Sequence, residues 1–348
     1  MSQNIFSHGL IGLVGAAFSL PAVSLLLALI ITIGLITFTR PQNTDQRLSR
    51  LSAAAATAVD ARYARERRAL GVCALVVIVI FMTENVVRGY FLNTADVVSW
   101  WRFALPIFVS LVGLGVLLAM IRFRGTGRPG RPAGLGVRRT WASFGPRTGV
   151  VGAAVAVVAL LVTTTAAGIA SSPDDQGRYI YLEISIPNES IDPVRQWFYG
   201  WAYGVPVLVC LLGLSVVTVT TLHRNAVRPF LSMETAGAEQ ATRSGIATGA
   251  VRIATGGALL SLAGAWRFIA SSGSASELTI QGDTPQRGTY EMAWRFAEFA
   301  AIAGWLAPVV EIAGFVLLLL VIRQLRGGTA GKQSATHAVR AAQSTAVR

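Results

Sequence analysis

The sequence predicts an all-α protein, a polytopic bundle of seven transmembrane helices, from its composition, its apolar runs and the charges of its loops. Of the 348 residues, 53% are hydrophobic and 14% are charged, whereas soluble domains contain about 25% charged residues. The mean hydropathy is +0.55. A net charge of +13 would suggest nucleic acid as the partner of a soluble chain. Here the arginines flank apolar runs and serve orientation, so we expect no nucleic-acid partner and count the lipid bilayer as the first partner.

Seven apolar runs each have about the 20 residues that a helix needs to cross the hydrocarbon core. The first run is longer than the core of a signal peptide and no basic segment precedes it, so we interpret it as a retained span. We arrange the runs as one leading helix plus three helical hairpins. A membrane domain, 1–326, precedes a predicted disordered cytoplasmic tail, 327–348. The predicted spans are 12–38, 70–91, 98–121, 150–170, 200–222, 246–270 and 299–322.

The charges of the loops predict the orientation of the bundle. Arginine is concentrated after the first, third, fifth and seventh spans, and the loop after the third span has seven arginines and no carboxylate. Cytoplasmic loops are enriched in Lys and Arg. We therefore expect these segments inside, the N-terminus outside and the C-terminus in the cytoplasm, in a plasma membrane. Lys332 is the only lysine, an arginine bias that suggests a GC-rich bacterial genome.

Aromatic residues support the same orientation, because indole and phenol rings favour the membrane interface. Many of them lie at the predicted outer ends of spans, among them Trp100, Trp197, Tyr199, Trp266 and Trp294. We interpret this set as an interfacial belt, with a ligand cage as the alternative. Short sequence motifs also recur in the hairpins: IASS at 169–172 and 269–272, and WRFA at 101–104 and 294–297. They indicate a duplicated hairpin, or chance similarity in an alanine- and arginine-rich chain.

Two predicted outer loops, 171–195 and 271–290, are long enough to fold over the bundle. The segment 179–186 alternates β-branched and aromatic residues as a strand does, and 278–280 is a short counterpart. We expect a small extracellular β cap in which these strands pair with each other. Two unrelated extended loops are the alternative.

Glu311 is the clearest charged residue inside a predicted span. A charge at the centre of a membrane helix costs roughly 2.5 to 3.5 kcal/mol on insertion scales. Pro308, together with Gly304 and Gly314, favours a bend that opens a polar pocket around the carboxylate. We predict that Glu311 is a binding or proton-coupling group, with a neutral residue that ties helices together as the alternative. Arg252 in the sixth span is its expected counter-charge, unless it snorkels to the headgroups.

Further charged residues near the outer ends of the spans predict an outer vestibule. Glu84 and Arg88 are four residues apart, and Arg295 and Glu298 are three apart, so each pair lies on one helix face. Simple pairing at the interface is the alternative. The predicted vestibule consists of Glu84, Arg88, Arg102, Arg267, Arg295 and Glu298.

The sequence carries no motif for catalysis or for a cofactor. His8, His223 and His337 lie outside the spans, which disfavours a membrane haem, and no zinc-binding H-E-x-x-H or P-loop is present. The only lysine is in the tail, so a retinal Schiff base is excluded. Cys73 and Cys210 lie on different helices and offer no metal-type spacing. We expect no catalytic residue, no metal and no cofactor, and a protein that is not an enzyme.

The leading functional hypothesis is translocation of a small solute or ion through the helix bundle, with Glu311 as its site. The alternative is a non-catalytic accessory, sensor or assembly subunit of a larger membrane complex, which implies a membrane-protein partner or a homo-oligomer. Translocation requires polar groups on facing helices along one path. An accessory subunit requires an apolar or small-residue face that is left open to lipid.

Overall fold

The computed structural model describes residues 20–38, 53–91, 97–124, 147–186, 192–230, 235–274, 277–280, 288–292 and 294–346. Within them lie seven helices, all long and apolar enough to span a membrane. The prediction of an all-α bundle with seven spans is confirmed. The helices are α1 Pro21–Phe38, α2 Ala53–Val86, α3 Leu105–Arg124, α4 Arg147–Ala170, α5 Trp201–Val227, α6 Ala236–Gly273 and α7 Ala297–Ala346, and a π-helical turn, Val87–Phe91, follows α2.

Several helices extend beyond the predicted spans, because good helix formers continue them outside the hydrocarbon. Helix α2 begins at Ala53, since the alanines and arginines before the apolar run favour helix. Helix α3, in contrast, begins later than the predicted span. It starts at Leu105, where Pro106 is tolerated in the first turn. The backbone of α7 is helical through Ala346, so most of the segment predicted as a disordered tail continues this helix.

Helix α6 is the central element of the bundle. The two helices of each predicted hairpin contact each other, and α6 also contacts α2, α3, α4 and α5. In its most apolar stretch 83% of the residues are buried, against 17% in α1. A helix that is screened from lipid does not need a continuous apolar surface. This position explains why α6 carries arginine, threonine, serine and glycine along its whole length.

Glycines allow α6 to approach α3 and α7 closely. A Cβ at Gly257 would lie 3.0 Å from the carbonyl oxygen of Pro106 in α3. A Cβ at Gly256 would lie 2.9 Å from Leu318 Cγ, and one at Gly314 would lie 3.2 Å from the carbonyl oxygen of Gly256. These glycines therefore fix the register between α6 and its two neighbours.

Two small antiparallel sheets lie at one end of the bundle, where α4 and α6 end and where α5 and α7 begin. We call this end of the bundle the sheet end, and we call the other end of the bundle the opposite end. The predicted strands are present, but each pairs within its own loop, which closes a shorter loop than pairing across the two. The expected pairing between them is wrong for the described residues. In one sheet β1 Ser172–Pro173 and β3 Val194–Trp197 flank β2 Tyr179–Ile184, and in the other β4 Glu277–Ile280 pairs with β5 Gly288–Glu291.

The turn between β1 and β2 is held by Asp174. Its carboxylate accepts hydrogen bonds from the amides of Gln176 and Arg178 at 2.9 and 2.7 Å, and Gly177 adopts a φ of +76°. Desolvation raises the pKa of Asp174, but the hydrogen bonds from Arg178 and Gln176 outweigh it, so the pKa lies below its ordinary value. The turn is thus ordered around an ionised carboxylate.

We expect Gly257→Ala to destabilise the bundle, because the new methyl group meets a backbone carbonyl of α3 that cannot move alone. Overpacking of this kind costs typically about 1 to 3 kcal/mol. Thermal unfolding of the purified protein in detergent measures the effect. Gly245→Ala, in the same helix with nothing within 4 Å of the added carbon, is the matched control. Equal melting temperatures for the two variants would contradict the close approach.

Candidate functional site: a charged cavity at the sheet end

Glu311 of α7 forms an ion pair with Arg267 of α6. Arg267 Nη2 lies 2.7 Å from Glu311 Oε2, and the two side chains are 22% and 1% exposed. Gly304 lies against Ala270 in the antiparallel helices, which places Glu311 about one turn from Arg267 along α6. The long arginine side chain spans this offset. Each charge compensates the other in a region where a lone charge is costly.

The ion pair lines a cavity of about 350 Å³ between α2, α3, α6 and α7. Small-molecule pockets have volumes of about 300 to 1,000 Å³, so the cavity has the size for a small solute. It reaches the last turn of α6 at the exposed Ser271. The structure thus brings four of the predicted site residues together in the wall of this cavity. The charged residues of its wall are Glu84, Arg102, Arg267 and Glu311.

Arg102 contributes a positive charge to the cavity without a counter-ion among the described residues. Arg88 Nε donates a hydrogen bond to Glu84 Oε1 at 2.8 Å, so that this acidic group is already paired. The guanidinium of Arg102 forms no ion pair or hydrogen bond within the described ranges, and it lies 5.2 Å from the ring centroid of Phe103. Burial and then the charge of Arg88 lower its pKa, while Glu84 and Tyr203 oppose this shift. An arginine stays charged at neutral pH.

Glu311 Oε1 is a buried acceptor with no hydrogen bond from the described part of the chain. The Ser24 hydroxyl of α1 lies beside the carboxylate as a weak hydrogen-bond partner, although its geometry falls short of a well-formed bond. Buried polar atoms in folded proteins are nearly always satisfied. One carboxylate oxygen is therefore bound by Arg267, and the other has only the weak contact with Ser24.

Aromatic rings form one wall beside these charges. Phe103 lines the cavity, and its ring lies 5.0 Å from that of Tyr199 and 5.6 Å from that of Phe268, centroid to centroid. Tyr199 is fully buried and shares a hydrogen bond of 3.2 Å with Thr164. Its assignment to an interfacial belt is therefore wrong. These packed rings form a rigid apolar wall on one side of the polar cavity.

The structure pairs Glu311 with Arg267 and not with Arg252, which corrects the expected counter-charge. Gly314 and Leu318 of α7 lie against Gly256 of α6. Arg252 is one turn beyond this contact toward the opposite end, roughly three turns from the level of Glu311. It is partly exposed, and the distance is too long for its side chain to cover.

Arg295 and Glu298 lie outside the cavity, although the sequence grouped them with its vestibule. Both are exposed near the start of α7. The guanidinium of Arg295 lies 4.5 Å from the ring centroid of Phe296. The vestibule that the structure forms therefore contains Glu84, Arg102 and Arg267, with Arg88 attached through Glu84.

A second group of charges lies at the opposite end, centred on Arg243 of α6. This side chain is fully buried. Its Nε donates to Tyr63 Oη at 2.9 Å, and its Nη1 and Nη2 donate to the carbonyl oxygens of Arg228 and Pro229 at 2.6 and 2.7 Å. Nη2 also lies 3.2 Å from Glu239 Oε2. The guanidinium is thus bonded on every side.

The same group joins α2 to the end of α5. Arg228 Nη1 donates to both oxygens of Glu66, at 2.8 and 2.9 Å, and both side chains are at least nine-tenths buried. Tyr63 donates a hydrogen bond of 2.9 Å to Glu239. We call Tyr63, Glu66, Arg228, Glu239 and Arg243 the base cluster. It closes the bundle where α2, α5 and α6 meet.

The sequence interpretation missed the base cluster, because its members lie in segments that were counted as orienting loops. The signal was the presence of Glu66 and Glu239 among many arginines. A carboxylate in such a segment is a candidate partner for a buried arginine.

The fold and these two sites define a multi-pass membrane protein with a charged cavity at one end and a buried ion cluster at the other. No group of three His, Cys, Asp or Glu side chains that could hold a metal ion occurs in the described ranges. The chain matches no family model, no curated protein and no solved structure. Function is therefore argued from the geometry of the site itself.

We expect Tyr63→Phe to destabilise the protein by about 1 to 3 kcal/mol, because it removes the hydroxyl that joins Arg243 to Glu239 in a buried network. Denaturant or thermal unfolding in detergent measures this loss. Tyr179→Phe, at a ring that is 44% exposed, is the control and leaves stability unchanged. If both variants unfold alike, the base cluster does not hold the opposite end together.

Proposed function

We propose that the protein binds a small anion in the sheet-end cavity and translocates it with a proton, with Glu311 as the proton-coupling group. The observation that carries this proposal is the buried Glu311–Arg267 pair in the wall of the cavity, in which Glu311 Oε1 has no well-formed hydrogen bond from the described residues. A glutamate that served only to tie helices together would be expected to satisfy both oxygens. Leaving a buried acceptor unsatisfied costs about 1 to 3 kcal/mol.

The charges around the cavity favour an anion as the solute. Three arginines, Arg88, Arg102 and Arg267, are opposed by two carboxylates, Glu84 and Glu311. One positive charge remains, and Arg102 carries it. The beginning of α3 also contributes, because Leu105 and Pro106 line the cavity at the positive end of that helix dipole. This excess attracts a monoanion.

Coupling to a proton follows from the shared use of Arg267. In the described state Arg267 favours the ionised form of Glu311. An anion that approaches Arg267 competes with Glu311 for the guanidinium, so the carboxylate becomes easier to protonate. The anion and the proton then enter together, and the net charge of the site is unchanged. Release of both the anion and the proton restores the ion pair.

The two ends of the bundle support movement between two states. The cavity reaches the sheet end, while the base cluster closes the opposite end. The arginine-rich loops argue that the sheet end faces outward and the opposite end faces the cytoplasm. Release to the inside requires the contacts among α2, α5 and α6 to open, as expected of alternating access around a fixed site.

The test is anion-dependent proton uptake into proteoliposomes that contain pyranine. Chloride, nitrate, lactate and glutamate are added outside in turn, and we expect at least one to acidify the lumen of vesicles with the wild-type protein. Glu311→Gln keeps the shape of the side chain and removes the proton acceptor. We expect it to lower the rate by more than about tenfold, as is typical when a group that transfers protons is lost.

Glu298→Gln is the matched control, because Glu298 is an exposed residue of the same helix that does not line the cavity. Its rate should equal that of the wild-type protein. Undiminished uptake in Glu311→Gln would remove Glu311 from the mechanism. Anion binding without proton uptake in the wild-type protein would favour a sensor over a transporter.

A further inference from the structure

A groove on the outside of the bundle runs between α2 and α3, away from the cavity and the base cluster. It encloses about 620 Å³. Apart from two arginines at one end, its wall consists of apolar residues, alanine, glycine and Cys73. Val72 and Val76 of α2 and Val112 and Val116 of α3 are 38% to 52% exposed in it. An acyl chain can lie on such a surface.

The floor of the groove is formed by the close approach of the two helices. A Cβ at Gly113 of α3 would overlap Cys73 Sγ of α2. The backbone of α3 therefore lies directly on α2 at this level, and no side chain fills the groove there. The groove is built into the helix contact.

Arg65 and Arg68 line the groove at its end nearer the base cluster. They are three residues apart on one face of α2, and both are exposed. Other arginines of this segment are engaged: Arg62 lies 3.5 Å from Glu239, and Arg67 pairs with Asp60. The guanidinium groups of Arg65 and Arg68 form no ion pair or hydrogen bond with any residue that the structure describes.

We propose that this groove binds one anionic phospholipid, with its phosphate at Arg65 and Arg68 and an acyl chain along Val72, Val76 and Val112. From Arg68 to Ile80, at the far end of the groove, α2 rises about 18 Å. The hydrocarbon of one leaflet is about 15 Å thick. Charge and length therefore match a single lipid of the leaflet at the opposite end, where arginines beside a span attract anionic headgroups. The site does not depend on the proposed transport.

Native mass spectrometry of the purified protein, titrated with phosphatidylglycerol and then with phosphatidylcholine, tests the headgroup. We expect one phosphatidylglycerol to bind in preference, and Arg65→Gln/Arg68→Gln to weaken this binding at least about tenfold. Arg122→Gln/Arg224→Gln removes two exposed arginines outside the groove and should leave the affinity unchanged. Equal affinity for the two lipids, or an equal loss in both double variants, would overturn the proposal.

The acyl chain needs a separate test, because a phosphate alone could also bind two arginines. Glycerol 3-phosphate at the same concentrations should not bind. Val112→Trp fills the groove from an exposed position and should abolish the phosphatidylglycerol adduct. Val209→Trp, on α5 at a residue that is 65% exposed, should not. Binding of glycerol 3-phosphate as tight as that of the lipid, or an unaffected Val112→Trp, would refute a lipid in this groove.

Discussion

The ion pair between Arg267 and Glu311 is the interaction on which the arrangement of the bundle depends. Neither charge is tolerable alone in hydrocarbon, so α6 and α7 must lie side by side with these residues near the same level. Gly256 and Gly314 permit that approach. The remaining helices then screen α6 from lipid, which makes the least apolar span the central one.

The charged side chains at the two ends of the bundle differ in how many hydrogen-bond partners they have. This difference indicates which end has a binding role. In the base cluster the guanidinium of Arg243 is fully buried and bonded on every side, and Glu66 is bound through both oxygens, so that Arg228 Nε is the one buried polar side-chain atom of its five described members without a hydrogen-bond partner. At the sheet end Glu311 Oε1 and the guanidinium of Arg102 have no such partners among the described residues. A satisfied network stabilises one conformation, whereas an unsatisfied one is available to a ligand.

The seven spans could be predicted, because the thickness of the bilayer fixes both length and hydropathy. Charges near span ends also identified Glu84, Arg102 and Arg267, and a charge inside a span identified Glu311. Which charges meet could not be predicted, since the register of α6 against α7 is set by glycine contacts, and one sequence does not reveal which residues those glycines contact. The base cluster was hidden for another reason: α2 begins before its apolar run, so Tyr63 and Glu66 are helical and buried.

The most direct test of a cavity that is open at one end only is side-specific labelling of Ser261→Cys, in a chain whose Cys73 and Cys210 are alanine. Ser261 lies in the wall of the cavity with Glu311. We expect the cysteine to react with the impermeant anion 2-sulfonatoethyl methanethiosulfonate when it is added at the sheet end, and not from the opposite end. Absence of reaction from both sides would mean that the cavity is open to neither side. Reaction from the opposite end alone would contradict the proposed direction of opening.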